Sequence, residues 1–181
     1  MPSLDTRLAL AAFAAHGKRP WLDRFAVFCA RELIVLLFAA ETAILARHFF
    51  LIDGSPAGFW TLESLRGLRA VSSFALAAWI AAVVLEMIFR RPRPFVALHK
   101  PLLADFWLPL PSMPSSHAAI TFALAVPAFL LSVPLGLVFL AAAIAVSASR
   151  VYVGVHYLSD VMVGAAIGIL VGGLVLRWVA L

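Results

Sequence analysis

Three short segments of the 181-residue chain hold most of its chemically useful polar side chains. They are residues 91–95 (Arg-Pro-Arg-Pro-Phe), 114–117 (Pro-Ser-Ser-His) and 149–160, in which Ser-Arg is followed by His after five residues and by Asp after three more. Phosphoryl transfer uses these groups, because the transferred group needs fixed positive charge, a nucleophile and a proton donor. The three segments together therefore predict a phosphoryl-transfer site.

The arginines and serines of these segments suit a phosphate. Arg93 and Arg150 can donate in pairs to the equatorial phosphate oxygens. Ser115 and Ser116 precede an apolar run, so they can add hydroxyls where the free N–H groups of a helix start point at an anion. Taken alone, the serines would be an ordinary N-cap and the arginines a solvated loop. Arg91 is a further candidate whose role the spacing leaves open.

His156 is the predicted nucleophile, since a neutral imidazole can attack phosphorus. Asp160 lies four residues on, so in a helix it would share a face with His156 and could hold the imidazole in one tautomer. His117 is the natural donor of a proton to the leaving oxygen. A His–Asp pair at this spacing is more often structural than catalytic, so the hypothesis depends on all three segments occurring together.

The composition indicates a membrane protein. Apolar residues make up 64% of the chain and charged residues 13%, and the mean hydropathy is +1.04. Soluble domains are about half apolar and a quarter charged. The net charge of +5 comes without a long basic tract, which argues against a nucleic-acid partner. The single cysteine, Cys29, excludes an intrachain disulfide and a cysteine-only metal site. We expect one membrane-embedded domain over residues 1–181.

The positions of the apolar runs predict an all-α bundle of about five membrane spans, since a span needs about 20 apolar residues. An amphipathic, interfacial helix is expected within residues 1–24, and residues 53–56 read as a turn. In the last span, glycines four residues apart predict close packing within the bundle. The predicted spans are residues 25–46, 70–89, 118–133, a fourth that follows a tight connection at residues 134–136 and runs to about residue 147, and 157–179.

An odd number of spans places the loops that carry the three segments on the same membrane face as the N-terminus. All the candidate site residues then lie within 86–160, at one end of the bundle. The distribution of Lys and Arg between the two faces is too even to determine which face is cytoplasmic. The sequence also leaves the oligomeric state open.

The three segments resemble the signature of the type-2 phosphatidic acid phosphatase superfamily. That signature is Lys, six residues, Arg-Pro; then Pro-Ser-Gly-His; then Ser-Arg, five residues, His, three residues, Asp. The third motif matches in full, and the second has Ser116 in place of glycine. The first matches at Arg93 and Pro94, but Glu86 stands at the lysine position. The role of Glu86 is therefore in doubt.

The resemblance implies a helical bundle, usually of six helices, that hydrolyses lipid phosphates or diphosphates without a metal or other cofactor. It implies that the N-terminal stretch is the short sixth element. It also implies a set of roles: His156 forms a phosphohistidine, Asp160 orients it, His117 is the general acid, and Arg93, Ser115, Ser116 and Arg150 bind phosphate.

Four features resemble the short bacterial undecaprenyl diphosphate phosphatases of the bacitracin-resistance type. They are the small size, the Arg-Pro-Arg-Pro-Phe segment, the non-glycine Ser116 and the Trp-Leu-Asp of residues 21–23. This resemblance implies recycling of the cell-wall lipid carrier, with the site on the outer face of a bacterial cytoplasmic membrane. Phosphatidic acid, phosphatidylglycerol phosphate and lipid A phosphates are alternative substrates.

Two non-enzymatic alternatives also remain. One is a membrane protein that binds phospholipid without catalysis, in which Glu86 marks a decayed site. The other is a small transporter or channel subunit, with Glu41 and Glu86 on a polar path. The second alternative offers no reason for the spacing of the third motif.

Overall fold

The protein is all-helical in its computed structural model, which describes residues 2–53, 62–105 and 111–179. No strand occurs within these ranges, so the predicted fold class is confirmed. The helices are α1 (Leu4–Ala15), α2 (Pro20–Arg31), α3 (Leu33–Asp53), α4 (Leu62–Phe89), α5 (Pro94–Ala97), α6 (Ser116–Leu131), α7 (Val133–Tyr152) and α8 (Leu158–Val179).

The five predicted spans correspond to α3, α4, α6, α7 and α8. Within the described residues, Val71–Ala97, Val133–Tyr152 and Leu158–Arg177 are long and apolar enough to cross a membrane, while Leu33–Ile44 and Ser116–Leu131 are shorter apolar helices. Large apolar side chains such as Ile88 and Leu170 point outward with about two thirds of their surface exposed. A bilayer accommodates such surfaces, whereas water does not. The chain is a multi-pass membrane protein.

The predicted boundaries of the first span were wrong. Residues 25–46 do not form one helix, because α2 ends at Arg31 and α3 begins at Leu33. The side chains of Arg31 and Glu32 are about half exposed and lie 3.8 Å apart. Burial of both charges in a bilayer would be costly, and the helix break keeps them at the end of the span.

The N-terminal segment is also longer than predicted, since α1 and α2 together extend to Arg31. Trp21, Phe25 and Phe28 are exposed on α2, as expected for a helix at the membrane interface. Of the turn predicted at residues 53–56, Asp53 is the last residue of α3 and the other three lie outside the described residues.

Helix α6 is the centre of the bundle and packs against α4, α7 and α8. Its buried face consists largely of alanines, which let neighbouring helices approach closely. A Cβ added at Gly164 of α8 would lie 2.4 Å from the carbonyl oxygen of Ser115, and one at Gly168 would lie 2.3 Å from that of Ala119. The predicted packing of these glycines within the chain is confirmed, and it holds the start of α6 close to α8.

Helix α1 lies across the loop that joins α7 to α8. The ring of Phe13 packs against Gly154, where a Cβ would lie 2.3 Å from the nearest ring atom and where φ is +84°. His16 Nε2 lies 2.7 Å from the carbonyl oxygen of Tyr152. The N-terminal helix therefore covers the segment that carries the third motif.

Candidate active site

The structure brings the three motif segments together at one end of the bundle. Three main-chain hydrogen bonds hold them together: Ser112 N–H, just before the second segment, donates to the Arg91 carbonyl at 2.9 Å, Ser115 N–H donates to the Asp160 carbonyl at 3.0 Å, and Phe95 N–H donates to the Gly154 carbonyl at 3.2 Å. The first links the two ends of the loop between α4 and α6, and the second links the start of α6 to the start of α8.

His156 lies in the loop between α7 and α8 and is 1% exposed. Its Nδ1 is 2.7 Å from the Ser112 carbonyl oxygen, and its Nε2 is 3.2 Å from Nη1 of Arg93. A carbonyl only accepts and a guanidinium only donates, so both contacts assign the proton to Nδ1. The lone pair of Nε2 therefore points toward the guanidinium of Arg93.

The surroundings of His156 favour the neutral imidazole. Burial, followed by the positive charges of Arg150 and Arg93, holds the pKa of His156 well below its ordinary value, against a smaller opposing effect of the Ser112 carbonyl. An imidazole must be neutral to attack phosphorus. The site thus holds a histidine in both the tautomer and the charge state of a nucleophile.

Asp160, the predicted orienting partner, is fully buried but lies 3.8 Å from Nδ1 of His156, too far for a hydrogen bond. Its Oδ2 accepts from Tyr157 N–H at 2.7 Å. Asp160 therefore anchors the loop beside His156 and places a negative charge near the imidazole, while the carbonyl of Ser112 takes the Nδ1 proton. Sequence reasoning missed Ser112, because a main-chain acceptor has no residue-type signal.

Arg91, whose role the sequence left open, supports Asp160. Its Nη1 donates to Asp160 Oδ1 at 2.8 Å and to Ser159 Oγ at 2.7 Å, and its Nη2 donates to Asp5 Oδ2 at 2.9 Å. The guanidinium carbon also lies 3.9 Å from the ring centre of Tyr157. These contacts place Arg91 among the residues that hold the α8 end of the site rather than beside Nε2 of His156.

Asp5 is a second residue that sequence reasoning missed. Besides Arg91, its carboxylate accepts from the backbone N–H of Ser159 at 3.0 Å and from the Ser159 hydroxyl. Burial alone would raise the pKa of Asp5, but the hydrogen bonds from Ser159 and Arg91 outweigh it and lower the pKa. No spacing rule links Asp5 to residues more than 80 positions away, so only the fold reveals it.

The arginines predicted to bind phosphate are both buried. Arg93 donates through Nη1 to the Val155 carbonyl at 3.1 Å, and Arg150 donates through Nη1 to the Ala30 carbonyl at 3.0 Å. The positive charges of both arginines lower the pKa of His156. Two guanidinium groups anchored to main-chain carbonyls form a fixed positive environment, which suits a phosphoryl group.

The start of α6 contributes the second motif. Ser115 is the N-cap, and its hydroxyl accepts from the Ala118 N–H at 3.5 Å. Ser116 is the first helical residue. His117 follows, and the positive charges of Arg150 and Arg93 act on its imidazole. A helix N-terminus, two arginines and two histidines thus lie at the same end of the bundle.

Comparison with known sequences and structures decides the family. Residues 66–181 match the sequence model of the PAP2 superfamily, which covers more than half of the chain. The chain belongs to the PAP2 superfamily. It is therefore a member of a phosphatase superfamily, as the motif resemblance indicated. No curated protein sequence matches the chain at a significant level.

Two solved PAP2-type folds are similar over nearly the whole chain. One is a transmembrane PAP2-type phosphatidylglycerolphosphate phosphatase from Bacillus subtilis, with a TM-score of 0.72 and 22% identity over 96% of this chain and 83% of that one. The other is LpxE from Aquifex aeolicus, with a TM-score of 0.67 and 24% identity over 97% of this chain and 96% of that one. At this identity the likeness establishes the membrane PAP2 fold.

Glu86, at the lysine position of the PAP2 motif, lies at the same end of the bundle. Its side chain is 1% exposed. The charges of Arg93, Arg150 and Asp160 act on it, and the backbone N–H of Ser116 faces it. The departure from the superfamily pattern is therefore located inside the site and not on the outside of α4.

Proposed function

We propose that this protein is a lipid phosphatase that works through a phosphohistidine on His156, without a metal, and that its preferred substrate is undecaprenyl diphosphate. The observation that carries the proposal is the state of His156. Its proton is on Nδ1, and its Nε2 lone pair faces the guanidinium of Arg93. A neutral donor would satisfy this lone pair in a buried histidine with a purely structural role, whereas here the donor is the cationic guanidinium of Arg93.

In the first step, Arg93 exchanges its contact with Nε2 for a phosphoryl oxygen, and Arg150 and the start of α6 neutralise the remaining charge. Nε2 attacks phosphorus, a P–N bond forms, and the P–O bond to the lipid part breaks. His117 gives its proton to the leaving oxygen, and the negative charge of the bound phosphate favours the protonated form of His117 beforehand. Asp160 and the Ser112 carbonyl stabilise the positive imidazole.

In the second step, water attacks phosphorus on the opposite side from Nε2. The P–N bond breaks, its electrons return to Nε2, and His117 takes the proton of the water. Inorganic phosphate leaves, and His156 is again neutral. Because Arg93, Arg150 and backbone N–H groups supply the positive charge, we expect a chelator to leave the rate unchanged. Inhibition that added divalent metal reverses would contradict the metal-free proposal.

Two observations bear on the substrate. The small size and the Arg-Pro-Arg-Pro-Phe segment support undecaprenyl diphosphate, by resemblance to the bacitracin-resistance type. The fold of a phosphatidylglycerolphosphate phosphatase is similar over 96% of the chain, which supports a glycerophospholipid phosphate as the second candidate. Both substrates place a phosphate at the membrane surface, so they use the same site.

The test is phosphate release by the purified protein from undecaprenyl diphosphate, phosphatidylglycerol phosphate, phosphatidic acid and a lipid A phosphate. His156→Ala should abolish release while the protein still folds. His99→Asn is the matched control, because His99 is an exposed loop histidine with φ of +51°, which asparagine tolerates. A glycerophospholipid preference would overturn the substrate, and full activity of His156→Ala would overturn the mechanism.

We further propose that the protein resides in a bacterial cytoplasmic membrane with the site facing the exterior. The single cysteine, Cys29, is buried, so a reporter cysteine is easy to introduce. Lys100 is exposed in the loop that follows α5, at the motif end of the bundle. Lys100→Cys in a Cys29→Ala background should react with an impermeant maleimide in intact cells. Labelling only after lysis would place the site on the cytoplasmic side.

A further inference from the structure

Glu86 is a buried carboxyl group that the proposed mechanism does not use. Neither of its oxygens makes a hydrogen bond of normal geometry with any part of the chain that the structure describes. The charged and polar groups that interact with it are Arg93 from the loop after α4, the Ser116 N–H from α6, Arg150 from α7 and Asp160 from α8, while α3, which also packs against α4, supplies none among its described side chains. Glu86 therefore shares its cations with the proposed phosphate.

A second buried glutamate provides an internal reference. Glu41 of α3 is also 1% exposed, and its oxygens likewise lack hydrogen bonds within the described residues. Among the described residues, no charged side chain interacts with the carboxyl group of Glu41, which is affected by burial alone. The carboxyl group of Glu86, in contrast, interacts with charged side chains as well. Burial is thus common to both glutamates, and the cationic surroundings distinguish Glu86.

A bound phosphoryl group changes the balance at Glu86. An ionised Glu86 and a phosphate would compete for Arg93 and Arg150 and would repel each other strongly in a buried site. Two acidic groups that share such a site retain a proton between them, as paired carboxyl groups do. A protonated carboxyl group has an O–H donor, which an ionised one lacks.

On the basis of the proposed function, we propose that Glu86 is a phosphate-binding residue that acts as a neutral carboxylic acid. It takes up a proton when the phosphoryl group binds and donates the resulting O–H to a phosphoryl oxygen, at the position where the PAP2 pattern has lysine. A lysine at this position donates without proton uptake. The proposal thus explains how an acidic residue can replace a phosphate-binding cation, and it makes anion binding in this protein weaken as the pH rises.

The test is calorimetric binding of orthovanadate to the purified protein between about pH 5.5 and 8.5, a range that brackets neutral pH. The variants are Glu86→Gln, Glu86→Lys and the control Glu41→Gln. Vanadate ionises in this range, but the ratio of wild-type to Glu86→Gln dissociation constants cancels that effect. We expect this ratio to rise toward about tenfold per pH unit at the alkaline end, the slope for one proton. Glu41→Gln should follow the wild type throughout.

Glu86→Lys should bind vanadate more tightly than the wild type above neutral pH, and it serves as the reference if Glu86→Gln does not fold. A ratio independent of pH, or weaker binding by Glu86→Lys at alkaline pH, would overturn the proposal. Because calorimetry does not require turnover, the two proposals fail separately. Lipid hydrolysis with a flat ratio refutes the role of Glu86, whereas a pH-dependent ratio without lipid hydrolysis refutes the proposed function.

Discussion

Asp5 of the N-terminal helix should be required for both the stability and the turnover of this protein. Its carboxylate accepts three hydrogen bonds, from the backbone N–H and hydroxyl of Ser159 and from Arg91. Only 18% of its side chain is exposed, so solvent can replace these partners poorly. Asp5→Ala removes all three bonds and leaves Arg91 with Asp160 and Ser159 as partners.

The magnitude follows from the number and type of these bonds. A hydrogen bond to a charged group contributes about 1.5–3 kcal/mol, and a neutral one about 1 kcal/mol. Because Arg91 keeps two partners, the contributions of the three bonds are not fully lost. We expect Asp5→Ala to lower the free energy of unfolding by about 2–3 kcal/mol. For a chain of this size that corresponds to a fall in Tm of about 5–10 °C. Asp5→Asn keeps an acceptor oxygen, so it should lower the free energy of unfolding by about half as much as Asp5→Ala.

Turnover should respond as well, because Arg91 holds Asp160. We expect kcat to fall about tenfold with KM nearly unchanged, since a small displacement of a positioned group costs roughly this much. Thermal unfolding in detergent and lipid phosphate hydrolysis are the assays. Glu32→Gln, a change to a half-exposed side chain in a loose ion pair, is the control and should match the wild type. An Asp5→Ala variant as stable and active as this control would refute the reasoning.

The effect of Asp5 also has a defined pH dependence. Its pKa in the folded protein lies below the ordinary value of 3.8, so the unfolded state binds a proton more readily. The stabilisation is therefore fully present above the ordinary pKa and is lost as the pH falls through the folded pKa. The difference in Tm between Asp5→Ala and the wild type should be largest at neutral pH and shrink only in strong acid.

Three further predictions concern the bundle and the motifs. Gly164→Ala should lower lipid phosphate hydrolysis about tenfold, because the added Cβ would lie 2.4 Å from the Ser115 carbonyl oxygen and would force α6 away from α8. The control is Gly173→Ala, whose Cβ would have no atom within 4 Å, and it should be as active as the wild type. The acid limb of the pH profile of kcat/KM should lie below about pH 6.5, because the pKa of His156 is lowered and the nucleophile must be the neutral imidazole. An acid limb above about pH 7 would contradict this assignment. Arg91→Lys should lower kcat about tenfold, since one ammonium cannot replace a guanidinium that joins the carboxylates of Asp5 and Asp160. An unchanged kcat would show that turnover does not require this bridge.

The amino-acid sequence by itself determined the membrane class, the helical bundle and the segments that form the site. These properties depend on local features: the length of apolar runs, the hydroxyl at a helix start and the spacing of side chains within one motif. Ser115 caps α6, and α8 packs through its glycine stripe, as predicted. The motif spacing also indicated the superfamily that the comparison confirmed.

Only the tertiary structure decided which groups touch. The acceptor of the His156 proton is a main-chain carbonyl, so no residue type marks it. Arg91 meets Asp5 across 86 positions of sequence, and the break after Arg31 reflects where two charges can reach water. Spacing carries information within one helix or loop, whereas contacts between distant segments depend on how the helices pack. For this reason the sequence indicated the phosphatase superfamily, and the fold showed which residues contact the motif side chains.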